Sequence, residues 1–150
     1  MKKIRSALVI PLLATASWLA CATSSLGAEL VVNVSGLKSD EGALGCALFG
    51  AAAADAFPLD LKQATTQRAK AQPGSMRCVF MNLAAGSYAV SASHDLNDNG
   101  KTDRNFIGQP TEPWAVSNNV RPALRAPRFA ECAFSLAADE VKQIELRLAQ

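Results

Sequence analysis

The residue types best suited to chemistry lie between Asp95 and Asp103. Asp95, Asn97 and Asn99 alternate, Gly100 takes the sixth place, Lys101 the seventh and Asp103 the ninth. This is the first part of a calcium loop: three side-chain oxygens, a glycine for the sharp turn, the Lys101 carbonyl and a further carboxylate. All of these ligands are oxygen, so a hard cation suits them. The expected cofactor is Ca2+, held weakly, with a Kd of roughly 10⁻⁴ to 10⁻³ M. The twelfth position is Phe106 instead of a bidentate Glu, and no helix pair flanks the loop, which excludes an EF-hand. Glu112 offers a carboxylate by folding back. The competing reading is an Asx-rich turn, in which Asn and Asp cap their own backbone and Asn99-Gly100 supplies positive φ.

Around this loop the sequence offers little for covalent catalysis. His94 is the only histidine, and a zinc site needs further His or Cys ligands at workable spacing. It reads as a strand-end residue hydrogen-bonded to the loop. Ser117 has no G-x-S-x-G context, and no glycine-rich phosphate loop occurs. His94, Phe106, Glu112 and Trp114 make up the expected ligand surface. Phe106, Pro110 and Trp114 either line an apolar recess beside the loop or cover a sandwich end.

The elements that must position these groups follow a leader. Lys2, Lys3 and Arg5 form a basic head, Ala7 to Leu19 an apolar run, and Leu26-Gly27-Ala28 a small-residue exit. Residues 1–28 therefore read as a signal peptide, and 29–150 as one exported domain, periplasmic or secreted. Lipidation at Cys21 fits less well, because Trp18 stands where a lipoprotein signal resembles Leu. Three of the 15 Lys and Arg precede Glu29, and 12 remain against 13 Asp and Glu. A near-neutral body with no Lys/Arg cluster along the sequence argues against nucleic acid as partner. No later apolar stretch reaches the roughly 20 residues of a membrane helix.

Strand signals occupy Glu29–Leu37, Ala43–Gly50, Met76–Leu83, Ser87–His94, Phe129–Leu136 and Val141–Leu148, the last as an edge strand. The first two read as a hairpin about Ser39-Asp40-Glu41-Gly42. Residues 51–74 read as a loop with a short helix, and 106–128 as mostly irregular because of Pro110, Pro113, Pro122 and Pro127. The fold class is all-β, an antiparallel sandwich of about seven strands. Cys46 shares parity with Leu44 and Leu48, and Cys78 with Met76 and Phe80, so both face inward and are expected to form a disulfide. Cys132, in phase with Phe134 and Leu136, is the alternative partner for either.

The run Phe80-x-x-Leu83-x-x-Gly86-x-Tyr88-x-Val90 resembles prealbumin-like and carboxypeptidase-regulatory-like sandwiches. Its continuation, His94-Asp95-x-Asn97-x-Asn99-Gly100-Lys101-x-Asp103, then Phe106-Ile107-Gly108, Ser117-Asn118-Asn119 and Pro127-Arg128-Phe129, closely resembles the bacterial secreted domain-of-unknown-function family 2141. The likeness covers essentially the whole mature chain and implies an exported β-sandwich with no established activity. Trp114 stands where the family more often resembles Tyr beside glycines, and Cys132 where it has a plain apolar residue.

The resulting expectation is an exported binding or accessory module, not an enzyme, with loops 95–119 as its working surface and an envelope protein or small ligand as partner. The alternatives are a structural envelope domain with no ligand site, and a metal-assisted hydrolase using His94, Asp95 and Asp103.

Overall fold

A computed structural model describes residues 27–150. The expected leader lies outside the described residues except for Gly27 and Ala28, and Ala28 already pairs with Leu83. Among the described residues no helix is long and apolar enough to cross a membrane.

The described residues form eight strands: β1 (Ala28–Leu37), β2 (Ala43–Gly50), β3 (Thr65–Lys70), β4 (Gly74–Leu83), β5 (Gly86–Asp95), β6 (Trp114–Val116), β7 (Phe134–Leu136) and β8 (Val141–Arg147). They form two sheets. The first has the order β4-β1-β8, and the second β3-β2-β5-β6, with β7 also on β5. Every pairing is antiparallel except that of β1 with β8, which is parallel. The expected all-β sandwich is thus present, with β8 at the edge of its sheet.

Alternation builds the interior. Leu30, Val32 and Val34 of β1, Leu44, Cys46 and Leu48 of β2, Cys78 and Phe80 of β4, and Val90 and Ala92 of β5 share one core with Leu146. This is the period-2 pattern of strands buried on one face. Cys46 and Cys78 meet there as a disulfide with a Cα–Cα distance of 6.5 Å, joining β2 of one sheet to β4 of the other. Loop-closure entropy across about 33 residues gives it roughly 3–4 kcal/mol.

The second sheet is apolar on its outer face as well. Ala47 and Phe49 of β2, Ala89 of β5 and Val116 of β6 pack there against Phe57 and Cys132. The 3₁₀ turn at Ala51–Ala56 and a one-turn helix, α1 (Phe129–Cys132), cover them. Phe57 meets Phe49 edge-on with centroids 5.3 Å apart, and Phe129 at 6.1 Å. Burial on both faces explains the nearly continuous apolar character of Ala43–Gly50.

Three local expectations are corrected. Residues 29–50 do not form a hairpin, because β1 and β2 lie in different sheets. The turn at 39–42 reverses the chain but carries it across the sandwich. Phe129–Leu136 is not one strand: α1 precedes β7, and the Glu131 carboxylate caps the helix by accepting from the Arg128 N–H at 2.9 Å. Cys132, on α1, therefore does not alternate with Phe134 and Leu136 along a strand, and its thiol sits in the outer cluster, away from the disulfide. Residues 51–74 hold β3 in addition to short 3₁₀ turns. From that edge strand Gln67 reaches the opposite sheet. Its amide oxygen accepts from Val79 N at 2.9 Å and its amide nitrogen donates to the Val79 carbonyl. One side chain thereby links edge β3 to edge β4 as another strand would.

Candidate functional site: a braced loop beside a groove

Strand β5 ends at Asp95, whose carboxylate is buried, with 1% of its surface exposed. One oxygen accepts from Asn99 N at 3.1 Å, and the other from Gly100 N at 2.7 Å and Arg68 Nη2 at 2.6 Å. The Arg68 guanidinium, reaching over from β3, also pairs with Asp98. Burial pushes the Asp95 carboxyl upward, but Arg68 and the two amide N–H groups outweigh it, and its pKa lies below the ordinary carboxylate value. Arg68 is pushed up by Asp98 and Asp95.

The rest of the loop satisfies itself in the same manner. The Asn97 side-chain oxygen accepts from Asn99 N at 3.2 Å, and that of Asn99 from Lys101 N at 3.0 Å. Both amide nitrogens converge on Asp103, Asn97 at 2.7 Å and Asn99 at 2.8 Å. Asp98 and Gly100, the central residues of these two Asx turns, take positive φ, 60° and 86°, which Asp tolerates and Gly adopts without steric cost. Glu112 does fold back, though onto backbone: it is buried and accepts from Leu96 N at 2.8 Å and Asp103 N at 2.9 Å. This carboxylate ties the loop's two ends together.

Beyond Asp103 a small hairpin projects. Arg104 bridges to Pro110, and the Asn105 side chain accepts from Ile107 N and Gln109 N at 3.1 and 2.9 Å. Its tip carries Phe106, 99% exposed, and Ile107, 62% exposed. Phe106 therefore neither lines a recess nor caps the sandwich.

The structure brings Asp95, Asn97, Asn99 and Asp103 into one bonded cluster. Lys101 joins through its N–H. Among the described residues no group of three or more His, Cys, Asp and Glu is arranged to hold a metal. His94 turns away from the cluster into the sandwich interior. Its Nε2 lies 2.8 Å from the Glu41 carbonyl, and its buried Nδ1 has no hydrogen-bond partner. Ser117 is a structural latch, accepting from Val90 N at 3.0 Å and donating to the Cys132 carbonyl at 2.6 Å. Burial raises the Cys132 thiol to about 11, so the thiolate, its reactive form, is scarce.

Beside the braced loop, the outer face of the second sheet holds a groove of about 1030 Å³. Its floor is formed by β2 and β5 around Gly45 and Ser93, together with Trp114 of β6. Its walls are the stretch from Pro58 to Arg68, the hairpin from Gly100 to Pro110, and the stretch from Arg121 to Pro127. Arg121 lies over Trp114 with its guanidinium carbon 4.6 Å from the ring centroid, and it donates to the Trp114 and Ala149 carbonyls. Trp114 was expected at the site, but Arg68 and Arg121 were not, because no motif links 68 or 121 to the 95–103 spacing.

Two sheets joined by a buried disulfide, with a braced polar loop at one end of the larger sheet, define a β-sandwich of the kind that presents loops from a rigid frame. Over residues 32–145 the chain matches the family described as uncharacterized proteins conserved in bacteria, DUF2141, and it belongs to that family. No curated protein and no solved structure matches it.

Proposed function

We propose that this chain is an exported binding module whose working surface is the groove over Trp114 and the loop that walls it. One observation carries the reading: a groove of about 1030 Å³, at the upper end of the range for small-ligand sites, bounded by a loop that is held from beneath. The carboxylates of Asp95 and Glu112 are both buried and both spent on the loop's own N–H groups. Such bracing fixes the loop's position against the sheet, and a fixed wall reduces the ordering cost of binding. Binding is favoured over hydrolysis because His94 and Asp95, two of the three groups a metal-assisted hydrolase would use with Asp103, are buried and engaged elsewhere. Export rests on the leader sequence, and the inter-sheet disulfide fits an oxidising compartment.

Native mass spectrometry of the domain recovered from its own compartment tests the reading. A small-molecule adduct is expected that is lost on unfolding and absent when Trp114 is replaced by Ala. An adduct that the replacement leaves untouched, or none at any protein concentration, overturns it.

A calcium reading of the loop is favoured by one feature. The side-chain amides of Asn97 and Asn99 already lie 2.7 and 2.8 Å from the two Asp103 carboxylate oxygens. Turning the two amides over would present their oxygens to a cation bound on Asp103.

A further inference from the structure

The groove is lined by Lys62, Arg68, Lys101, Arg104, Arg121 and Arg125, and by no Asp or Glu side chain. Half of the 12 Lys and Arg after the leader thus face one concavity that none of the 13 carboxylates lines. The chain as a whole is close to neutral, so the asymmetry is local. Arg68 is neutralised by Asp95 and Asp98, and Arg125 by Glu131. Among the described residues Lys62, Lys101, Arg104 and Arg121 have no carboxylate within salt-bridge distance. Arg121 is partly desolvated, and burial lowers its pKa.

Apolar surface accompanies this charge. Trp114 is half-buried in the floor, and Leu59, Ile107 and Leu124 on the walls are 56%, 62% and 96% exposed. Large apolar side chains left in water around a cationic concavity suit a ligand that is part apolar and part anionic. A concavity whose charged side chains all carry one sign focuses the field on a counter-ion, and a guanidinium matches the planar oxygens of a carboxylate or phosphate.

We propose that the groove binds a small amphipathic anion, a carboxylate or phosphate head on an apolar body, with the head toward Arg121 and Arg104 and the body against Trp114, Leu59 and Ile107. This rests on the groove being the binding surface, and the experiment separates the two.

The oxidised domain is titrated with dodecanoate, dodecyl phosphate, dodecanol and dodecyltrimethylammonium, all below their micelle concentrations, with Trp114 fluorescence as the readout. The anions are expected to bind at least tenfold more tightly than the other two, and the stronger of dodecanoate and dodecyl phosphate identifies the head group. Arg121→Gln should weaken the anions at least tenfold. Because Arg121 also holds two backbone carbonyls, a Lys62→Gln, Lys101→Gln double variant gives a second reading from exposed residues, with a loss of at least threefold. A Lys38→Gln, Arg77→Gln variant removes the same charge away from the groove and should change nothing. Equal binding of all four probes overturns the anion proposal while leaving the groove as a binding surface. Binding of none overturns both. Equal losses in the Lys62/Lys101 and Lys38/Arg77 variants assign the effect to net charge and also overturn the proposal.

Discussion

Gly42 lies so close to Asp95 that a β-carbon placed on it would stand 1.8 Å from the Asp95 carbonyl oxygen. Its φ of +63° is one that glycine adopts without strain. The turn after β1 and the start of the acidic loop are therefore in backbone contact, and the obstacle is a main-chain atom that cannot rotate away. Gly42→Ala should destabilise the domain by at least about 3 kcal/mol, combining left-handed strain with a forced backbone shift. Chemical denaturation measures the loss. Amide exchange at Asn99 and Gly100 should rise more than at Val32, because the displaced Asp95 holds both N–H groups.

The pairing of Arg68 with Asp95 gives the domain an acid-sensitive brace. A carboxyl whose folded pKa lies below its unfolded value contributes stability that is complete above the unfolded value, roughly pH 4, and is lost as pH falls through the folded one. Arg68→Gln should raise the folded pKa of Asp95 and move the acid unfolding midpoint to higher pH. Near neutrality it should cost about 1–3 kcal/mol, less than a fully buried pair because Arg68 is 36% exposed. An unchanged acid midpoint would show that the Asn99 and Gly100 amides alone hold the carboxylate.

The three cysteines of the described domain should separate cleanly by reactivity. The folded, oxidised protein is expected to give no fast reaction with an aromatic disulfide reagent, since Cys132 is buried and its thiol lies near 11. One thiol should appear on unfolding. Replacing Cys46 and Cys78 together by Ala should lower stability by about 3–4 kcal/mol from the unfolded-chain term, and further if the cavity is not refilled.

Calcium provides a test of the loop alone. If the Asn97, Asn99 and Asp103 side chains rotate to receive the ion, calcium at ten times Kd adds about 1.4 kcal/mol, a rise of several degrees in Tm. Asp103→Asn should abolish the rise and leave the fold intact, because Asp103 is only half-buried and Asp95 and Glu112 still brace the backbone. A melting curve insensitive to 10 mM calcium, in wild type and variant alike, assigns the loop wholly to its own hydrogen bonds.

The sandwich was legible because its interior strands alternate. Leu30, Val32 and Val34, or Cys46 with Leu44 and Leu48, can share a face only at a period of two. That parity also placed the disulfide. What stayed hidden had no such pattern. Five of the six residues of β3 are exposed, so the strand leaves no apolar trace. Its role is carried by the single side chains of Gln67 and Arg68. The turn at Ser39–Gly42 signalled a reversal of direction, and a reversal does not say which sheet the next strand joins. The helix α1 lacks a Ser, Thr, Asp or Asn cap, since Arg128 precedes it, and its four residues are too few to show a helical period. Within the site, the alternating oxygens from Asp95 to Asp103 were visible as a cluster. The cation that faces them is Arg68, from a strand 27 residues away in sequence, and only the fold brings it there. The groove takes its walls from three separated stretches and its floor from β2, β5 and β6, and it has no linear signature.

The most direct test of the central claim is amide chemical-shift mapping of the isotope-labelled oxidised domain against a library of small-molecule fragments. Binding fragments are expected to shift the amides of Ser91–Ser93, Arg104, Gly108 and Arg121 together, and to leave Val32, Arg77 and Glu145 on the three-stranded sheet unmoved. Shifts confined to that other sheet, or an absence of saturable shifts across the library, would contradict it.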